Sequence, residues 1–302
     1  MSRGSVLPLL LALGLAPLLL GVITRTKAVI AGRAGPALLQ PYHDLRKLMA
    51  KGAVYSRTTS WVFRAGPVIG LAAIIIAAAL VPLGGPALVS FPGDLLLFVY
   101  LLALARFSTV IAALDTGSSF EGMGASREVA FSTLAEPALL LGLAAIARET
   151  GSLSLSTMLP HVTVGVWAHA APPLALVAIA LLVVFLAENG RIPVDDPATH
   201  LELTMIHEVM VLDHGGPDLA CILYGSALKL WLFGALLIGL ALPVHSGHRW
   251  LDAGAPALGM LLLAVLTGLV ESSMARLRLL SVPRLLVGGG VLSVLALLLV
   301  LR

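Results

Sequence analysis

The sequence predicts an all-α membrane protein that crosses a bilayer about eight times, and three observations carry that reading. Hydrophobic residues make up 59% of the 302-residue chain and charged residues only 12%, more apolar surface than a soluble domain can cover. Apolar runs of about 20 residues, the length that spans the hydrocarbon core, recur from end to end. The lysines and arginines gather on one side of those runs. The net charge of +3 and pI near 9.3 therefore describe membrane topology and give no sign of nucleic acid as a partner. Residues 1–302 read as a single integral membrane domain.

The first apolar run covers residues 5–24. It is long for a signal-peptide core, has Arg3 alone before it and is followed by Arg25 and Lys27, which predicts a retained helix. Gly35-Pro36 stops the chain, and residues 37–51 then read as a short amphipathic helix with Leu38, Leu39, Leu45, Leu48 and Met49 on its apolar side. Such a helix lies in the interface or forms the floor of a docking site. Further spans are predicted at 66–82 (with a start nearer Trp61), 94–114, 127–147 and 171–188. Pro193 and Pro197 break the next connection, where the run from Thr199 to Leu212 is patterned as a second amphipathic helix. The last three spans fall at 217–242, 256–275 and 284–301, and Gly288-Gly-Gly290 in the last is a helix-packing surface. No internal repeat is visible, which counts against an inverted-repeat transporter.

The connection between spans 1 and 2 holds Arg25, Lys27, Arg33, Arg46, Lys47, Lys51, Arg57 and Arg64. Connections 3–4, 5–6 and 7–8 add Arg127, Arg191, Arg276, Arg278 and Arg284, whereas the opposite face has only Arg3, Arg148, Arg249 and Arg302. That asymmetry predicts a bacterial inner-membrane protein with the first group in the cytoplasm and both termini in the periplasm.

Acidic residues concentrate in one place. Glu188, Asp195, Asp196, Glu202, Glu208, Asp213 and Asp218 are seven of the sixteen acids of the chain and lie between two apolar runs. Burying a charge at the bilayer centre costs roughly 2.5–3.5 kcal/mol on insertion scales, so this density marks a working surface at the membrane edge. Within spans lie Arg106, Glu128, Glu136, Lys229 and Glu271. Glu128 and Glu136 are eight residues apart and thus about 80° apart around a helix, close enough to line one cavity. Two readings are open: buried ion pairs that fix helix packing, or a hydrated chain of protonatable groups. Other motifs are poorer. The single cysteine, Cys221, excludes an intrachain disulfide or an iron–sulfur cluster held by this chain alone. His207-Glu208 begins like a zinc-protease motif but lacks the second histidine. His200, His207 and His214 recur every seven residues, as a metal site or, more economically, as interfacial histidines bonded to neighbours; no metal is expected.

The segment Ala187-Glu-Asn-Gly-Arg-Ile-Pro-Val-Asp-Asp-Pro, followed by Glu202-Leu203, resembles the signature between helices 5 and 6 of the respiratory NADH dehydrogenase subunit 1 family. Gly35-Pro36 with Leu39-Gln40-Pro41, Asp44 and Lys47 resembles that family's first cytoplasmic loop. Leu114-Asp-Thr-Gly-Ser-Ser-Phe120, Gly122-Met-Gly-Ala-Ser-Arg-Glu128 and Glu136-Pro137 resemble its hydrogenase branch, that of formate hydrogenlyase subunit 4 and hydrogenase-4 component C. The resemblance implies an eight-helix subunit, not catalytic alone, at the heel of a complex I-like or energy-converting [NiFe]-hydrogenase assembly. It implies partners: a peripheral arm with hydrogenase-like large and small subunits and iron–sulfur clusters, antiporter-like membrane subunits, and the lipid bilayer. No cofactor is expected in this chain; iron–sulfur clusters and a Ni–Fe centre belong to the partners. It further implies a proton (or Na⁺) path through Glu128, Glu136, Glu188, Glu202, Glu208, Asp213, Lys229 and Glu271. Docking of the arm is implied for Arg25, Arg33, Asp44, Arg46, Lys47, Arg191, Asp195, Arg276 and Arg278.

Two departures bear on the branch. Asp213-His-Gly-Gly216 stands where many relatives have acid-Tyr-Ser-Gly, and Lys229 occupies a helix on which complex I relatives tend to carry a glutamate. Both favour the hydrogenase branch over a quinone-site subunit, which stays the first alternative. A free-standing ion transporter and a passive anchor are the others.

Overall fold

The computed structural model describes residues 5–196, 205–242 and 249–302. Among them eight helices are long and apolar enough to cross a membrane. Helix α1 (Leu7–Ile30) leads to the short α2 (Gln40–Met49), then α3 (Trp61–Leu80), α4 (Asp94–Asp115) and α5 (Ser119–Thr150). The short α6 (Leu155–His161) precedes α7 (Val164–Glu188), α8 (Gly216–Ala241), α9 (Arg249–Ser273) and α10 (Val282–Leu301). No strand occurs among the described residues.

Helix α3 starts at Trp61, where Ser60 caps it by accepting from Val62 N–H at 3.2 Å. The Asp115 carboxylate at the end of α4 accepts from Ser60 N–H (2.7 Å), the Ser60 hydroxyl (2.8 Å) and Phe63 N–H (3.2 Å). At the other end of α4, fully buried Asp94 accepts from the Ser154 hydroxyl and Leu155 N–H, both at 2.7 Å. One acid at each end of α4 thus satisfies helix-initiating donors on a neighbour. Helix α7 runs past the point where Pro172-Pro173 suggested a start. The missing proline donors are absorbed at a kink, Ala170 having φ −114° and ψ 28°. Helix α5 begins at Ser119 and not near 127, and its 32 residues extend beyond ~30 Å of hydrocarbon.

Helix α8 is the hub. It packs against α1, α2, α3, α6, α7 and α9, while α5, α7 and α10 form a second group and α3 lies along α4. The amphipathic α2 forms with no buried residue, lying against α8 and α1. The helix expected over Thr199–Leu212 is corrected where it is described: residues 205–207 are not helical, and Glu208–Val211 make a single 3₁₀ turn. The reason is a competing acceptor. Ile206 and His207 donate their N–H groups to the Asp195 carboxylate at 3.1 and 3.2 Å instead of building a helical ladder. Residues 197–204, with Glu202 and His200, lie outside the described residues.

Candidate functional site: a buried ion cluster above a cavity

One arginine organises the site. Arg106 is on α4 inside the bundle, its side chain only 9% exposed. Nε lies 3.2 Å from Glu128 Oε1, Nη2 donates to Glu188 Oε1 at 2.7 Å, and Nη1 pairs with Glu136. Both α5 acids therefore face the same cation, as their angular spacing predicts. They do so from different sides: Glu128 lines the adjoining cavity and Glu136 does not. Glu136 sits about 12 Å further along the helix and keeps 35% of its side chain exposed.

Glu188 extends the cluster, its second oxygen lying 2.8 Å from Lys229 Nζ on α8. It can do so because α7 ends right behind it. Gly190 takes φ +56° and Arg191 N–H returns to Leu186 O at 2.8 Å, closing the helix in a left-handed cap. The turn directs Arg191 to Glu271, 3.3 Å away. Glu271 also pairs with Lys27 at 2.8 Å, so this fully buried carboxylate ties α9 to α1 and the α7–α8 connection.

On the α5 flank, His207 stands between Glu128 and Asp195. Its Nδ1 bonds Asp195 Oδ2 and its Nε2 lies 3.3 Å from Glu128 Oε2. Asp195 is 3% exposed, and its other oxygen meets Arg276 at 2.9 Å. Burial opposes the charge of Asp195, but the His207 imidazole and amide and the Arg276 guanidinium outweigh it and hold this carboxyl below its usual range. For His207, burial again opposes charge, while Glu128 and Asp195 favour it and raise the imidazole above the usual histidine value. His214 stacks on Phe63 with centroids 3.9 Å apart, and burial pushes it down. The described histidines thus serve packing and ion pairing, and no group of three or more metal ligands occurs among the described residues.

A cavity of about 290 Å³ adjoins the cluster between α3, α4, α8 and the α7–α8 connection. Arg106, Glu128, Glu188, Asp195, His207 and Lys229 give it a charged end, and α3 and α8 give it apolar walls. Glu208 lines it as well. The segment that carries Glu208 seats on α5 only because position 124 is glycine. A Cβ there would collide with Val209 and lie 3.1 Å from Ile206 O.

Other anticipated residues fall elsewhere. Asp213 is exposed and takes part through its N–H, which donates to Glu121 at 3.0 Å. Arg25 folds back on the carbonyls of Ala34, Gly35 and Pro36, and Asp44 accepts from Gln40 at 2.8 Å. Arg33, Arg46, Lys47 and Arg278 are exposed. Asp195, Arg191 and Arg276, expected on the docking surface, spend their charges inside the chain, because the connection folds inward onto α5 and α9. Two members of the cluster, Arg106 and His207, are absent from the path that the sequence implies. Arg106 had a signal, a permanent cation inside a span that needs carboxylates; His207 had none, because its partners are distant in sequence.

The family model described as NADH dehydrogenase matches residues 4–301. Formate hydrogenlyase subunit 4 of Escherichia coli (strain K12) is 34% identical over 295 residues, covering 93% of this chain and 94% of that protein. Hydrogenase-4 component C of the same strain is 31% identical, covering 87% and 84%. A membrane component of the NADH-quinone oxidoreductase of Rubrobacter xylanophilus is 30% identical over 57% of this chain and 53% of its own. In solved structures the fold is matched by a chain of the membrane-bound sulfane sulfur reductase, an archaeal respiratory membrane complex, with a TM-score of 0.81, 19% identity and coverage of 97% and 96%. A full-length family match, relatives above 30% identity across nearly the whole chain, and an eight-helix bundle agree: this multi-pass membrane protein belongs to the NADH dehydrogenase subunit 1 family.

Proposed function

We propose that this chain is the membrane-anchoring and energy-coupling subunit of an energy-converting hydrogenase-type redox complex in a bacterial inner membrane. It docks a peripheral electron-transfer arm and links it to proton or Na⁺ movement. The observation that carries the reading is the continuous run of ion pairs from Asp195 through His207, Glu128, Arg106 and Glu188 to Lys229. Six ionisable groups beside a cavity exceed what helix packing requires, and replacing buried pairs by apolar side chains is often neutral or stabilising. Their retention argues for use.

The cavity and Glu208 form the cytoplasmic entrance in this reading, and Glu136, half turned out of the bundle, leads toward a neighbouring membrane subunit. Docking falls to the exposed basic residues Arg33, Arg46, Lys47 and Arg278, next to exposed Leu38, Leu39, Met49 and Val54. Iron–sulfur clusters and a Ni–Fe centre are assigned to the arm. A conformational change there biases a carboxylate between two states: ionised against a cation, or desolvated and protonated. The cavity supports a second reading, a quinone site, since it has one charged end and apolar walls. The test is purification of the intact complex with identification of its subunits, followed by redox-driven ion uptake in vesicles. Hydrogenase-like partners and uptake are expected. Purification of this chain alone as a working transporter would overturn the reading, and quinone-competitive inhibition would favour the second.

A further inference from the structure

Resting on that proposed function, we infer that His207 is the proton store of the path, loading and releasing one proton through Glu128. The geometry demands charge on the ring. Both nitrogens face carboxylate oxygens, Nδ1 toward Asp195 and Nε2 toward Glu128, each at 3.3 Å. A neutral imidazole has one N–H and one lone pair, so it turns a lone pair on one of the two carboxylates; only imidazolium presents N–H to both. Nε2 is closed off from solvent and lacks an aligned hydrogen bond, which leaves it free to approach Glu128. Gly190 makes room for this placement, because a Cβ there would lie 2.8 Å from Nδ1.

The surrounding charge count points the same way. In the connected cluster, among the described residues, Glu128, Glu136, Glu188 and Asp195 meet the permanent cations Arg106, Lys229 and Arg276. Four carboxylates against three cations leave one negative charge, which an imidazolium at His207 cancels. Glu128 faces the ring from α5, Asp195 from its own connection, Arg276 reaches it through Asp195, and Arg106 through Glu128. Lys229 opposes the ring's charge from α8. Glu208 is its neighbour in the chain. In one hand-over the Nε2–H bond breaks as an O–H bond forms on Glu128 Oε2, and the neutral ring keeps its Nδ1–H on Asp195. The reverse transfer restores the imidazolium. Glu128 lines the cavity and equilibrates with its water, and this volume holds several waters at ~30 Å³ each.

The test uses the intact complex in vesicles, with ion uptake per redox turnover measured from pH 5 to 9 for wild type, His207→Gln and Glu128→Gln. In His207→Gln uptake should fall at least about tenfold and its titration midpoint vanish. In Glu128→Gln the surviving midpoint should move about one pH unit toward acid, one of the two flanking charges being gone. A wild-type midpoint and uptake retained in His207→Gln would overturn the proposal. If that variant fails to assemble, an unmoved midpoint in Glu128→Gln does the same. If the wild type moves no ions, the proposed function fails instead. Infrared difference spectra of complex with ring-labelled histidine, compared with the Glu128→Gln complex, then read the proton directly, and a ring signal that does not titrate would overturn the store.

Discussion

Glu188→Gln is the sharpest perturbation available in this bundle. Glu188 holds Arg106 with one oxygen and Lys229 with the other, at 2.7 and 2.8 Å. Arg106 keeps Glu128 and Glu136 when Glu188 is neutralised, but Lys229, its side chain 17% exposed, loses the carboxylate it pairs with among the described residues. Breaking a buried pair by removing one partner costs about 3–5 kcal/mol, which at this size corresponds to a drop of roughly 6–20 °C in Tm. Lys229→Met should cost less, about 1–2 kcal/mol, because Glu188 keeps Arg106 and no buried charge is left alone. The double variant Glu188→Gln/Lys229→Met removes both charges, so it should be more stable than Glu188→Gln alone, with a coupling of about 2 kcal/mol. Thermal unfolding of the solubilised complex, followed by fluorescence-detected chromatography, measures all three. A double variant as unstable as the sum of the singles would refute the pairing and the argument built on it.

Further outcomes follow from the same geometry. Asp195→Asn should release the 205–211 segment, seen as faster hydrogen exchange at the Ile206 and His207 amides. In the wild type, an ionised Asp195 with a lowered pKa stabilises that anchor above the ordinary carboxylate range, and the protection fades only as pH falls through the lowered value. His207, with a raised pKa, contributes below the ordinary histidine range, and its share is lost as pH rises through the raised value. Gly124→Val should lift the 3₁₀ turn off α5 and cost about 1–3 kcal/mol through overpacking, read as a lower Tm and greater protease sensitivity near Val209. Reversing Arg33 and Arg46 to Glu should detach the peripheral subunits while this chain stays in the membrane; a complex that survives a salt wash would move docking elsewhere.

The fold was largely legible because bilayer crossing imposes one simple requirement, an apolar stretch long enough to span. Its ends were less so. Pro172-Pro173 pointed to a start at 171, yet the helix continues through a kink at Ala170; the apolar pattern does not register that neighbouring helices can accommodate lost backbone bonds. The residues of the cluster were partly legible, since Glu128, Glu136, Glu188 and Lys229 are expensive where they stand. Their mutual arrangement was not. Arg106 meets partners 22, 30 and 82 positions away, and no local pattern encodes such distances. The amphipathic pattern of 199–212 misled where it can be checked, because it records an apolar face but not the Asp195 carboxylate that captures the backbone donors.

The central claim is that these ion pairs carry an ion, and Glu136→Gln tests it most directly. The substitution keeps size and hydrogen-bonding capacity, removes one of three carboxylates on Arg106, and at a partly exposed position costs about 1 kcal/mol or less. Ion uptake and redox turnover are measured together in vesicles containing the assembled complex. The account predicts intact assembly with uptake per turnover reduced to about a tenth or less. Normal uptake at normal turnover would contradict it and leave Glu136 as a packing residue.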